Sequence, residues 1–173
     1  MVGLERGTVE LRAHQDEWHD NYLKEANRLL PVIQEHIISI EHVGSTAIDG
    51  IPAKPIIDIL IVVDDNETAH NLAPILERHG YEQRPDEDVQ DRLFFVKGPR
   101  TNRTHYLSVT AQHSTFHTEQ IAFREYLREN PAVAEEYAAL KVELAEQYPD
   151  DRTRYTANKS EFIQRVLDDA VSD

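Results

Sequence analysis

The chain has 173 residues and a formal net charge of −14, from 32 acidic and 18 basic side chains. This charge excludes a protein that coats duplex nucleic acid, because such proteins need a basic surface to displace phosphate counterions. The absence of cysteine excludes disulfides, thiolate nucleophiles and cysteine-ligated zinc. No apolar run approaches the roughly 20 residues that span a bilayer, and the first residues lack a signal-peptide pattern. We therefore expect one cytoplasmic domain, residues 1–173, without a membrane partner.

Acidic residues greatly outnumber the few lysines, and two explanations stay open. An acidic surface of this kind is typical of proteins adapted to high salt, where screening weakens repulsion between like charges. It is also compatible with an ordinary acidic protein.

The first half of the chain predicts a helix, two strands and a second helix. Apolar residues from 18 to 33 recur at three- and four-residue spacing, which predicts an amphipathic helix that Pro31 ends or kinks. The β-branched run 37–43 predicts a strand. Residues 56–63 predict a strand buried on both faces, because polar and apolar residues do not alternate there. Residues 67–79 predict the second helix.

The second half predicts two more strands and then only helices. The strands are expected at 93–97 and 106–110, after a polar loop at 86–91. Three helices follow, at about residues 114–129, 131–148 and from 156 onward, the second with Asn130 as its N-cap. Strands followed by a run of helices indicate an α+β fold, with one small sheet and helices packed on it.

The residues that point to chemistry follow the first predicted strand. Gly44 allows a tight turn and close approach of a ligand, while Ser45 offers a hydroxyl beside backbone N–H groups, which suits phosphate oxygens. Asp58 lies inside an apolar strand, where an unpaired carboxylate is costly. A metal ion, the mouth of a cleft, or a structural pairing with Lys or Arg would each explain it. If a metal binds, Mg²⁺ fits best, because it takes carboxylate oxygen together with substrate phosphates.

Several blocks of the sequence resemble the signature of the GrpB family. The principal ones are Ile40-Glu41-His42-Val43-Gly44-Ser45-Thr46-Ala47 and Ala53-Lys54-Pro55-Ile56-Ile57-Asp58-Ile59. The likeness continues through residues 94–99, 103–105, 123–128, 137–141, 151–152 and 155–159, and so covers about residues 15–167.

The resemblance implies a fold and a chemistry. The family is similar in fold to the polymerase-β-type nucleotidyltransferase superfamily and is sometimes fused to dephospho-CoA kinase. This implies a small mixed sheet of nucleotidyltransferase type, with helices packed on it and a helical C-terminal segment. In that superfamily a Gly-Ser turn holds triphosphate, and an Asp-x-Asp strand with a further carboxylate on a neighbouring strand holds two metals.

The sequence departs from that superfamily pattern at the metal ligands. Leu60 stands at the second carboxylate position, and the predicted strand 106–110 carries no acidic residue. Ser108 replaces a histidine that the family commonly has on that strand. These departures argue against two-metal catalysis, and they leave open a single metal or a site that uses Glu41, His42 and His105.

We expect the protein to bind a nucleoside triphosphate or another phosphate-bearing small molecule with Mg²⁺ and to transfer a nucleotidyl group to an acceptor. Asp58 and His105 are the expected catalytic residues, and Asp58 is also the expected metal ligand. The expected substrate-binding residues are Gly44, Ser45, Thr46, Lys54, Arg124, Lys141, Tyr155 and Lys159.

Two alternatives remain at this point. A degenerate module would bind a nucleotide or a CoA-like molecule without turnover and act as a sensor or partner subunit. A metal-dependent hydrolase would use His42, His105 and Asp58.

Overall fold

A mixed sheet of five strands organises the fold, in the order β1-β2-β5-β4-β3. The computed structural model describes residues 2–85 and 91–172, so most of the predicted loop at 86–91 lies outside the described residues. The elements are α1 (Glu17–Ile33), β1 (Ser39–Val43), β2 (Ile57–Val63), α2 (Asn66–Arg78), β3 (Tyr81–Arg84), β4 (Leu93–Lys97), β5 (His105–Ala111), α3 (Thr115–Glu129), α4 (Pro131–Gln147) and α5 (Arg152–Ser172).

The strands β2 and β5 form the centre of the sheet and are its one parallel pair. β1 pairs with the outer side of β2, while β4 and then β3 extend the sheet beyond β5, all antiparallel. A parallel pair needs a crossover connection, which here includes α2, β3 and β4. This confirms the predicted α+β class.

Helices cover both faces of the sheet. Ile57, Ile59 and Ile61 of β2 are buried on the face that packs against α1 and α2. Leu60 and Val62 are buried on the opposite face, where they pack against α3. Burial on both faces explains why the sequence of β2 does not alternate. Among the described helices, none combines the length and apolar character needed to cross a bilayer.

The structure corrects several predicted boundaries. α1 continues through Pro31, which lies in the exposed part of its last turn. α5 begins at Arg152 rather than near Thr156, because the Asp151 side chain accepts a hydrogen bond from the Arg154 backbone N–H (3.1 Å) and so caps the helix. Asn130 precedes α4 as predicted, but its side chain donates to the Tyr126 carbonyl (2.8 Å) instead of capping α4.

The edge strand β3 was not predicted. Its sequence is largely polar, and two of its four residues are exposed. Only its pairing with β4 defines it as a strand. β-Propensity reflects packing against neighbours more than an intrinsic backbone preference, so an edge strand of this composition gives little signal in the sequence.

Glu25 joins α1 to the far edge of the sheet. Its side chain is 5% exposed and accepts hydrogen bonds from Arg28 (2.7 and 2.9 Å), the Tyr81 hydroxyl (2.6 Å) and Lys97 (3.1 Å). Burial alone would raise the pKa of Glu25, but the hydrogen bonds from Arg28, Tyr81 and Lys97 outweigh it and lower the pKa to about 2. We call these four residues the Glu25 network.

The Glu25 network predicts a specific loss of stability in acid. The folded pKa of about 2 lies below the ordinary value of 4.5, so its stabilisation is fully present above pH 4.5 and is lost as the pH falls toward 2. At about 1.4 kcal/mol per pK unit, the free energy of unfolding should fall by roughly 3 kcal/mol from this group. In urea titrations between pH 4.5 and 2, the free energy of unfolding of Glu25→Gln should lack this roughly 3 kcal/mol decrease.

Exposed Glu35 offers a matched control, and Glu35→Gln should retain the wild-type pH dependence. If Glu25→Gln lost stability in acid as steeply as the wild type, the Glu25 network would not be the source of the effect.

Candidate functional site

Asp58 lies at the start of β2, beside the turn that follows β1. Within the sheet it is paired with Val43 of β1 and Tyr106 of β5, and its side chain is half-buried. Gly44 has φ of +74°, and a Cβ atom there would lie 2.5 Å from the Asp58 Oδ2 atom. Glycine is therefore required at position 44 both by the backbone conformation and by the approach of the carboxylate. The predicted Gly-Ser turn and Asp58 do come together.

Three lysines from distant parts of the chain gather around Asp58. We call Lys54, Lys141 and Lys159 the lysine cluster. The Nζ atoms of Lys54 and Lys159 lie 5.5 and 5.3 Å from the centroid of the Tyr155 ring. The Nζ atom of Lys141 donates a hydrogen bond to the Pro52 carbonyl (2.7 Å) and lies 5.1 Å from the Tyr137 ring centroid.

Burial and repulsion between lysines lower the pKa values of Lys54 and Lys141. The pKa of Lys54 falls to about 7, first because of burial and then because of repulsion by Lys159. The pKa of Lys141 is lowered well below its usual value by burial and then by repulsion from Lys159 and Lys54. Both shifts reflect the cost of holding several ammonium groups close together away from water. A bound anion would relieve that cost.

The pKa of Asp58 moves in the opposite direction. Burial raises it to about 6, against the attraction of Lys54 and Lys159. The carboxylate therefore has basic neighbours, but burial outweighs their attraction.

Two further members of the site were not predicted. Tyr106 stands beside Asp58 in the register of β2 and β5, so both side chains lie on the same face of the sheet. Burial raises the pKa of Tyr106, and a hydrogen bond with Arg152 opposes that shift. Tyr106 is the first residue of a strand that the sequence predicts, but only the register between β2 and β5 places it next to Asp58. Arg152 is brought in by the start of α5.

The remaining predicted residues of the turn differ in what they offer a ligand. Ser45 is half-buried and begins a short 3-10 helix, Ser45–Ala47. The Thr46 hydroxyl is buried and hydrogen-bonded to His42 Nε2 (2.9 Å). Thr46 therefore positions His42 and does not present its hydroxyl to the lysine cluster.

Tyr155 and Arg124 mainly contact other residues of the fold. Tyr155 is fully buried against Val9 and Leu144, and its ring carries the two ammonium groups. Arg124 donates to the His42 carbonyl (3.0 Å) and forms an ion pair with Glu41 (3.4 Å). Arg124 thereby holds α3 against β1 and does not join the lysine cluster.

His105 lies on the other face of the sheet from Asp58. It pairs with Ile57 in the register of β2 and β5, so it faces α1 and the Glu25 network. Its Nδ1 atom is 2.8 Å from the Thr104 hydroxyl, and burial lowers its pKa to about 4. His42 also lies on the α1 face, stacked on Tyr22. The structure therefore does not bring His42 or His105 together with Asp58, whether for transfer or for hydrolysis.

The fit of a metal ion depends on the carboxylates available. Among the residues that the structure describes, no group of three or more His, Asp or Glu side chains is arranged to hold a metal. Leu60, at the second carboxylate position, is fully buried in the core. The basic surroundings of Asp58 make a divalent cation unfavourable there. The described residues therefore do not fit a resident Mg²⁺ centre.

Comparisons with known proteins agree with the fold. A model of the family described as GrpB protein matches residues 8–169. The glutamate-rich protein GrpB of Alkalihalophilus pseudofirmus is 37% identical over 98% of this chain and 99% of its own length. The crystal structure of the conserved protein GrpB from Enterococcus faecalis superposes with a TM-score of 0.85 at 35% identity, covering 94% of this chain and 98% of that one.

A more distant similarity involves a larger enzyme. The chain is 24% identical to part of a dephospho-CoA kinase of Mycobacterium bovis, over 92% of this chain and 45% of that protein. The family model and the two GrpB relatives each span nearly the whole sequence. The chain therefore belongs to the GrpB family.

Proposed function

We propose that the lysine cluster binds the phosphate groups of a nucleotide or of a CoA-like molecule. The observation that carries this proposal is the convergence of Lys54, Lys141 and Lys159 on one half-buried carboxylate. A chain with a net charge of −14 repels anions over most of its surface. A local group of ammonium side chains is therefore a place where an anionic ligand can bind selectively.

The energetics of the lysine cluster support phosphate as the ligand. Lys54 and Lys159 both lie near one buried aromatic ring, that of Tyr155, which holds their ammonium groups in place. Within the described part of the chain, neither forms a direct ion pair with Asp58. Lysine presents a compact charge that suits phosphate oxygens.

The second candidate is nucleotidyl transfer from a nucleoside triphosphate. It is favoured by the contact between Gly44 and Asp58, which joins the Gly-Ser turn to the first carboxylate position of the superfamily pattern. In this candidate the lysine cluster would neutralise charge that develops on the phosphates. Because the described residues do not fit a resident Mg²⁺ centre, the ion would have to arrive with the nucleotide and contact Asp58 alone. Metal dependence therefore separates the two candidates.

Removing one ammonium group should weaken phosphate binding. Lys159 is half-buried at the cluster, whereas Lys24 is exposed on α1 and serves as a matched control. We expect ATP or CoA to raise the melting temperature of the wild type. Lys159→Met should lose about tenfold in affinity, or roughly 1.4 kcal/mol, by isothermal titration calorimetry. Lys24→Met should match the wild type, and an equal affinity in all three proteins would contradict the proposal.

The affinity should also depend on pH through Lys54. Its pKa of about 7 is raised when an anion binds, so above pH 7 binding must take up a proton. The affinity for ATP should therefore fall as the pH rises from about 7.5 to 9.5, by at most about tenfold per pH unit. Terminal phosphate is already ionised in this range (second pKa about 6), so its own titration adds little.

Lys54→Arg provides the control for that pH dependence, because arginine stays protonated throughout this range. Its affinity for ATP should fall less steeply with pH than that of the wild type, because Lys141 is then the remaining lysine with a lowered pKa that can take up a proton. A wild-type affinity that did not change across the range would rule out Lys54 as a ligand-binding ammonium group.

Asp58→Asn distinguishes the two candidate functions. If the site binds phosphate without a resident metal, removing a negative charge should leave the affinity for ATP unchanged or increase it, with or without Mg²⁺. If the site is a metal-dependent transferase, ATP binding should require Mg²⁺ and be lost in Asp58→Asn. Calorimetry at pH 8 would decide, since Asp58, with a pKa of about 6, is ionised there.

A further inference from the structure

A second site candidate is a cleft of about 660 Å³ that is lined in part by residues 46–51. Its lining includes His14, His19, His42, Asp16, Asp49 and Glu135. None of the three lysines of the lysine cluster lines it. The volume lies within the roughly 300–1,000 Å³ that small-molecule sites occupy. We call it the histidine cleft.

One wall of the histidine cleft is aromatic. His42 stacks on Tyr22, with ring centroids 4.8 Å apart at 6°, and on His19, 6.0 Å apart at 25°. His42 is 5% exposed, and burial, followed by repulsion from His19, lowers its pKa to about 3. The His42 ring is therefore neutral at physiological pH and adds no positive charge to this wall.

The floor of the histidine cleft is apolar, and two histidines of its lining each leave one ring nitrogen unpaired. Ile48, Ile51 and Leu127 line the floor and are almost fully buried. The Nδ1 atoms of His14 and His42 are buried and have no hydrogen-bond partner among the described residues. Buried polar atoms are normally paired, so an unpaired nitrogen in the wall of a cleft points to a ligand that pairs with it.

The charges available at the rim are negative. The side chains of Asp16 and Asp49 are fully exposed and approach only His14, at 3.7 and 3.4 Å. Glu135 is exposed on α4. The Arg128 guanidinium also lines the cleft, but it donates two hydrogen bonds to the Ala47 carbonyl (2.7 and 3.2 Å). An anionic ligand would therefore meet three carboxylates.

We infer that the histidine cleft binds an organic cation, an amine that carries an apolar chain or ring. The ammonium group would lie among the rim carboxylates and against the aromatic wall, where both interactions are attractive. The apolar part would cover the isoleucines of the floor. This inference does not depend on phosphate binding by the lysine cluster, because the two sites share no charged residue.

Three probes of similar size and different charge test the inference. Phenethylamine, phenethyl alcohol and hydrocinnamate carry the same ring with a cationic, neutral or anionic end. Trp18 is the one tryptophan of the chain and packs edge-on against His14 at 5.5 Å, so its fluorescence reports on the cleft. We expect phenethylamine to bind at least tenfold more tightly than the alcohol, and hydrocinnamate to bind more weakly still. Equal responses to all three probes, or none, would overturn the inference.

Substitutions at the rim test whether phenethylamine binds in the histidine cleft. The double substitution Asp16→Asn with Asp49→Asn removes two rim charges from exposed positions, so it should fold and should lose about tenfold in affinity for phenethylamine. Exposed Asp64 lies outside the cleft, and Asp64→Asn should bind like the wild type. Lys159→Met should also bind phenethylamine like the wild type, whatever its effect on ATP. Unchanged affinity in the double variant would overturn the inference.

Discussion

The parallel pairing of β2 with β5 sets which side chains meet on each face of the sheet. Side chains alternate along a strand, so one register sends Asp58 and Tyr106 to one face and Ile57 and His105 to the other. The two faces hold separate polar systems, the lysine cluster and the Glu25 network. A slip of one residue in β2 would turn the Asp58 carboxylate into the apolar packing against α1 and α2. The hydrophobic core therefore fixes the chemistry of each face.

The two polar systems resolve the cost of burial in different ways. Glu25 accepts hydrogen bonds from Arg28, Tyr81 and Lys97, which lower its pKa although it is buried, so it stabilises the fold. The lysine cluster brings three lysines to one carboxylate, and the pKa values of Lys54, Lys141 and Asp58 shift toward the neutral forms. A buried charge that is hydrogen-bonded within the protein, like that of Glu25, has a structural role. Buried lysines that repel one another favour a bound ligand of opposite charge. This contrast is the physical basis for assigning ligand binding to the Asp58 face.

One loop borders both candidate sites. At its start Gly44 faces Asp58, and at its end Lys54 joins the lysine cluster. Between them, Thr46 holds His42 in the wall of the histidine cleft, and Arg128 binds the Ala47 carbonyl. The loop is thus tied to both α3 and β1, and the two candidate sites share it as a boundary.

Local periodicity in the sequence predicted the α+β class and the strand that contains Asp58, and the family resemblance implied that Gly44 and Asp58 belong to one site. The sequence also identified Lys54, Lys141 and Lys159 as basic residues in an acidic chain. That these lysines meet at Asp58 and that His105 faces away became visible only in the folded chain, since both depend on strand register and on how α4 and α5 pack. The tertiary structure also showed β3 as an edge strand and Asp151 as the cap of α5. Such features arise from contacts between residues far apart in the chain, which hydrophobic periodicity does not encode.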